Sequence, residues 1–158
     1  MADLFWDGRK EDFALSRPYE GDVSAQDCWN ELSRNPDAFL VDVRTSAEWT
    51  YVGFPLLPEP AGRAIFVEWQ RFPTMDIDPS FPDRVASAVE MQGGSKDSPL
   101  YFLCRSGVRS IGAASTMTQA GFAHCFNVLS GFEGPPDAEG HRGRTDGWKA
   151  DNLPWMQK

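Results

Sequence analysis

Cysteine is scarce in this chain: three residues among 158, at positions 28, 104 and 125. No two of them form Cys-x-x-Cys, which excludes a zinc ribbon and a thioredoxin-type redox pair on spacing alone. An odd number cannot pair completely within one chain, which points to a reducing compartment. No metal or other cofactor is expected. Basic residues are also few, with 15 Lys+Arg against 23 Asp+Glu and a net charge of −8. Nucleic acid needs a basic footprint, so it is not expected as a partner. A long apolar run is missing as well. Ser110 to Phe132 has no formal charge over 23 residues, but Ser, Thr, Gln, His, Asn and three Gly interrupt it. It reads as a buried helix followed by a buried strand, and no membrane contact is expected. The opening MADLFWDGRKEDF puts acidic residues where a signal peptide needs a basic start and an apolar run, so the expected location is the cytoplasm.

The length suits one domain, and a composition of 41% hydrophobic and 13% aromatic residues can build its core. The sequence divides into an arm over 1–18 and a domain over 19–158, with a Gly/Pro-rich insertion at 135–146. Ser24 is placed to cap a helix, with Asp27 three residues on and Ala25, Cys28, Trp29 and Leu32 at helical spacing; Asn35-Pro36 stops it. Residues 38–43 form an apolar run that reads as a strand buried on both faces, and 46–50 as one helical turn. Residues 53–82 contain six prolines and read as loop, interrupted by a strand at 64–67. Ser80 is expected to cap a helix ending at Gly93-Gly94. Further expectations are a strand at 99–103, a helix from Ser110 to Ala120, a strand from His124 to Leu129, and an irregular tail from Glu133. Alternating strands and helices argue for an α/β domain with a largely parallel sheet.

Chemistry concentrates in one segment. Residues 92–125 carry Lys96, Arg105 and Arg109 against Asp97 alone, a positive window in an acidic chain. Within it, a buried strand ends at Cys104, a short loop containing Gly107 follows, and a helix begins. Open α/β sheets bind ligands beyond the carboxyl ends of their strands. Loop amides and a helix start form an anion cradle there. These features and the two arginines favour a thiolate at Cys104 and mark it as a nucleophile.

Cys104-Arg-Ser-Gly-Val-Arg-Ser110 resembles the active-site loop of rhodanese-like sulfurtransferases. Leu40-Val-Asp-Val-Arg44 with Glu48-Trp49 resembles the family's first strand and acidic turn. Asn127-Val-Leu-Ser-Gly131-Phe132 and Gly147-Trp148-Lys149…Leu153-Pro154 resemble its closing blocks. The resemblance covers residues from about 20 to 155 in order. It implies a three-layer domain with a largely parallel central sheet flanked by helices. It implies that Cys104 takes the outer sulfur of thiosulfate, or of another persulfide donor, and passes it to cyanide, a thiol or a protein acceptor. Arg105 and Arg109 would attract the anionic donor, while backbone amides of Arg105, Ser106, Gly107, Val108, Arg109 and Ser110 cradle the transferred sulfur. The hydroxyls of Ser106 and Ser110 would add hydrogen bonds, and Asp42 and Arg44 would stand behind the site or simply tie down neighbouring loops. Other readings stay open: a persulfide carrier without turnover, a binding module, or a cysteine phosphatase or arsenate reductase. The phosphatase pattern Cys-x5-Arg needs arginine at 110, where this chain has serine.

The chain departs from the family in two places. The usual His-containing segment after the acidic turn is replaced by Val52 to Ala64, without histidine. Twelve residues separate Gly134 from Gly147. In that stretch His141, Arg142 and Arg144 either reach towards an anionic substrate or lie on a solvated loop. Cys28 and Cys125 are expected to pack in the core, His124 to lie at the surface, and Trp148 and Trp155 to anchor the tail or meet a partner.

Overall fold

The computed structural model describes residues 18–58 and 62–158. The arm expected at the N-terminus lies outside the described residues apart from Pro18. Along the chain come β1 (Gly21–Val23), α1 (Ala25–Arg34), β2 (Phe39–Asp42), α2 (Ser46–Tyr51), β3 (Phe54–Pro55), β4 (Ala64–Phe66), β5 (Gln70–Arg71), β6 (Asp76–Ile77), α3 (Phe81–Met91), β7 (Leu100–Leu103), α4 (Arg109–Gln119), β8 (Cys125–Val128) and β9 (Trp155–Met156).

Five strands form the central sheet in the order β1-β8-β7-β2-β4, and every neighbouring pair is parallel. The interior strands β7 and β2 have no exposed position, as continuous apolar runs require when helices cover both faces. Side-chain alternation sorts their residues into two cores. Phe39, Val41, Leu100, Phe102 and Cys104 pack with Phe81, Val85 and Val89 of α3 and Ala113, Ala114 and Met117 of α4. Leu40, Tyr101 and Leu103 pack on the other face with Ala25, Cys28 and Leu32 of α1 and with Phe132, Trp148 and Leu153 of the tail. The α/β architecture is therefore the one the sequence implies.

The local signals acted as expected in α1, where the Ser24 hydroxyl accepts the Asp27 N–H at 3.0 Å. In α3 they did not: Ser80 makes no side-chain cap. Its own N–H and hydroxyl donate to Asp78 Oδ1, at 2.9 and 2.7 Å, so the side chain is turned to that buried carboxylate two residues upstream and its oxygen accepts no helix N–H. Arg71 and Arg84 bind the other oxygen of Asp78, at 2.8 and 3.1 Å. The proline-rich stretch contains a small antiparallel hairpin, β5 with β6, that composition did not suggest. The tail is also better ordered than its Gly and Pro content implied. β9 pairs antiparallel with β3, Trp148 is fully buried, and its indole N–H donates to the Pro154 carbonyl at 2.8 Å. Among the described residues, no helix is long and apolar enough to cross a membrane.

Candidate active site

Cys104 directly follows β7, at the carboxyl end of the sheet, and is 1% exposed. The chain turns sharply there because a second segment holds it. The Phe132 N–H donates to the Cys104 carbonyl at 2.8 Å, and the N–H groups of Glu133 and Gly134 donate to the Arg105 carbonyl at 2.9 and 3.1 Å. That close approach requires glycine at 131, where φ is +60° and a Cβ would overlap the Cys104 carbonyl oxygen. With its carbonyls tied back, the loop turns an amide to the sulfur: the Gly107 N–H donates to Cys104 Sγ at 3.1 Å. Ser110, in the first turn of α4, places Oγ 3.1 Å from the same sulfur. Ser106 lines the pocket. The start of α4 thus presents the positive end of a helix dipole beside the sulfur.

The charges around the opening are already partly committed. Arg109 donates to both oxygens of Glu48, at 3.0 and 2.8 Å, and both side chains are 19% exposed. Glu48 also closes the capping box of α2: Thr45 N–H donates to Glu48 Oε1 at 3.1 Å, and the Glu48 N–H donates to the Thr45 hydroxyl at 3.3 Å. Burial pushes the Glu48 carboxyl up, but hydrogen bonds from Arg109 and Thr45 outweigh it and hold it below the usual carboxylate range. Burial lowers Arg109, and its contact with Glu48 more than compensates, so its guanidinium stays charged. Arg105 is exposed. Arg142, from the stretch between Gly134 and Gly147, lines the pocket and donates to the Gly134 carbonyl at 2.6 Å.

These groups surround a pocket of about 820 Å³ with Cys104 among its walls. Exposed apolar side chains of Tyr51, Phe72 and Val108 contribute to its lining. The site therefore combines a recessed sulfur, donors aimed at it, cations near the opening and apolar surface for a substrate body.

The remaining residues singled out from the sequence fall into place. Asp42 and Arg44 are fully buried and paired at 2.7 Å; Arg44 also donates to the Gly53 carbonyl and lies 4.1 Å from the Phe132 ring centroid. They brace the β2 end against the Gly53 and Phe132 segments. Cys28 and Cys125 are buried. Burial drives the Cys28 thiol far up and Cys125 up to about 11. His124 contacts Glu20 at 2.9 Å in an exposed position. His141 gathers with Asp137 and Glu139 at the surface, but Arg144 lies 3.7 and 3.6 Å from those two carboxylates and offsets their charge. Sequence reasoning gave no role to Tyr51, Phe72 or Asn127 in the site. The first two belong to segments brought in only by the fold. Asn127 stood in a motif that resembled the family, with no local sign of what its side chain touches.

The sequence matches the Rhodanese-like domain family over residues 24–134. An uncharacterized protein of Rickettsia conorii is 37% identical over 134 residues, covering 85% of this chain and 95% of the relative. Another, of Rickettsia prowazekii, is 36% identical over the same length. The crystal structure of Rv0390 from M. tuberculosis has 44% identity and a TM-score of 0.76, covering 89% of this chain and 99% of that one. The polysulfide-sulfur transferase homodimer of Wolinella succinogenes shares the fold at 18% identity, with a TM-score of 0.56 and coverage of 96% and 88%. Taken with the parallel sheet and the loop that closes around Cys104, these matches establish that the chain belongs to the rhodanese-like domain family.

Proposed function

We propose that this protein is a sulfurtransferase that works through a persulfide on Cys104. The observation that carries this reading is the recessed Cys104 Sγ, which receives the Gly107 N–H and lies beside the Ser110 hydroxyl, in a residue that lines a wide pocket. In the first half-reaction the Cys104 thiolate attacks the outer sulfur of thiosulfate. A new S–S bond forms, the S–S bond of thiosulfate breaks, and sulfite leaves with the bonding electron pair. An organic persulfide donor reacts in the same way and leaves as a thiolate. In the second half-reaction cyanide or an acceptor thiolate attacks the terminal sulfur. Thiocyanate or a new persulfide forms, and the Cys104 thiolate is regenerated.

Amides and hydroxyls that meet a sulfur anion inside the pocket replace its lost hydration without having to reorganise. Arg105, Arg109 and Arg142 supply attraction for an anionic donor, with Arg109 moderated by Glu48. The cytoplasm is the proposed setting, since a reducing compartment keeps Cys104 as a free thiol between turnovers. The test is thiocyanate formation from thiosulfate and cyanide by purified protein. Wild type is expected to turn over many times per Cys104, and Cys104→Ala to give only the uncatalysed rate with its fold intact. Turnover by Cys104→Ala would overturn the assignment. A single sulfur loaded per chain without turnover would make the protein a carrier.

A further inference from the structure

The two groups that meet the resting sulfur are not independent, because one buried amide holds both. Asn127, on β8, is fully buried. Its Nδ2 donates to the Gly107 carbonyl at 3.2 Å and to Asp22 Oδ1 at 3.1 Å. This use of both N–H bonds fixes the amide orientation, so Oδ1 faces Ser110 and accepts its hydroxyl at 2.5 Å. Gly107 and Ser110 are the residues whose N–H and Oγ stand 3.1 Å from Cys104 Sγ. Asp22 lies on the edge strand β1, paired parallel with β8, and it accepts the Tyr19 hydroxyl on the same oxygen at 3.0 Å. A continuous hydrogen-bonded chain therefore runs from an exposed carboxylate at the sheet edge to the buried sulfur.

We infer that Asn127 is a positioning residue for sulfur transfer, acting through Gly107 and Ser110, and that Asp22 holds it in the working orientation. Ser110 has one hydroxyl proton and two neighbours able to accept it. With Cys104 as a thiol, the S–H donates to Ser110 Oγ and the hydroxyl donates to Asn127 Oδ1. When the sulfur is anionic, as thiolate or persulfide, the hydroxyl turns towards it by rotation about one bond, with no backbone movement. The Gly107 amide stays aimed because its own carbonyl remains tied to Asn127. Neither Asn127 nor Asp22 lines the pocket, so the effect belongs to the reacting sulfur and not to capture of the donor.

This inference rests on the sulfurtransferase reading, and its test separates the two. Cys104 alkylation by iodoacetamide, a neutral probe, is measured in wild type, Asn127→Ala, Ser110→Ala and the double variant. It requires no sulfur transfer. Thiosulfate:cyanide kinetics are then measured on the same proteins. Asn127→Ala is expected to lower both the alkylation rate and kcat by about tenfold, the scale of losing one to two aligned hydrogen bonds, with KM for thiosulfate changed less than about twofold. In the Ser110→Ala background the same substitution is expected to cost markedly less, because part of its route is already gone. Asp22→Ala, at an exposed position, is expected to act in the same direction more weakly and with the fold unperturbed. Wild-type alkylation and kcat in Asn127→Ala, or in Asp22→Ala if Asn127→Ala does not fold, would overturn the inference, as would equal losses with and without Ser110. Absence of sulfur transfer in wild type, with the alkylation pattern as stated, would instead remove the sulfurtransferase reading and leave the positioning role.

Discussion

Glu48 and Arg109, 61 positions apart in sequence, meet in a two-point ion pair beside the Cys104 pocket. The pair joins the short helix α2 to the first residue of α4 and sets the charge an incoming anion meets.

Two substitutions should move donor affinity in opposite directions. Arg109→Ala removes a cation and exposes the Glu48 carboxylate to the pocket, so KM for thiosulfate should rise by about tenfold, equivalent to ~1.4 kcal/mol. Glu48→Gln keeps the capping hydrogen bonds, which glutamine also makes, and releases Arg109 to the substrate. Its KM should fall by roughly fivefold, on the scale of ~1 kcal/mol for one charge near water. Steady-state kinetics at fixed ionic strength test both, since salt screens the effect. An unchanged KM in Arg109→Ala would remove that residue from donor binding.

The same pair predicts a pH dependence of stability. Glu48 titrates below its ordinary range in the folded protein, so folding is favoured whenever the carboxyl is ionised. This contribution is complete above the unfolded value, ~4.3, and is lost as pH falls through the lower folded value. The Tm advantage of wild type over Glu48→Gln should therefore be full at neutral pH and shrink below about pH 4. A gap that stays constant into acid would show that the ion pair contributes nothing to stability.

Gly131 gives a steric prediction. Gly131→Ala combines a positive φ with overlap onto the Cys104 carbonyl. It should cost more than the ~1–2 kcal/mol of the backbone conformation alone and displace the loop. Gly140→Ala also has a positive φ, of +82°, but meets nothing within 4 Å. It serves as the control, with a loss of only about 1–2 kcal/mol and full activity. Denaturant midpoints and transfer rates of the two variants decide the matter, and equal losses would count against the loop contact.

Much of the frame was legible because its signals are local. Phe39–Val41 and Leu100–Leu103 are apolar without alternation, and Ser24 and Asp27 mark the start of α1. The strand Gly21–Val23 was not legible, since three residues with one large apolar side chain leave no pattern and pairing with β8 alone makes them a strand. Ser80 looked like a cap, but its side chain is turned to Asp78 and accepts no helix N–H. In the site, Cys104 and its loop could be read from the sequence, but the Arg109 partner could not, because Glu48 comes from a different helix. Nor could the apolar wall, since Phe72 lies in a hairpin that proline content disguised.

Thiol reactivity should separate the three cysteines. Burial pushes up Cys28 and Cys125, whereas Cys104 lines an 820 Å³ opening. Iodoacetamide on the native protein near neutral pH should modify Cys104 alone, with the other two reacting only after unfolding, as peptide mapping would show. Native modification of Cys28 or Cys125 before Cys104 would contradict the placement of Cys104 in the pocket wall.

The most direct test of the whole account is the intact mass of reduced protein before and after thiosulfate, with Cys104→Ser beside it. Wild type should gain the mass of one sulfur atom and lose it on adding cyanide, while the variant gains nothing. A gain in both proteins, or no gain in wild type with a free Cys104 thiol under either thiosulfate or an organic persulfide, would contradict persulfide chemistry at this cysteine.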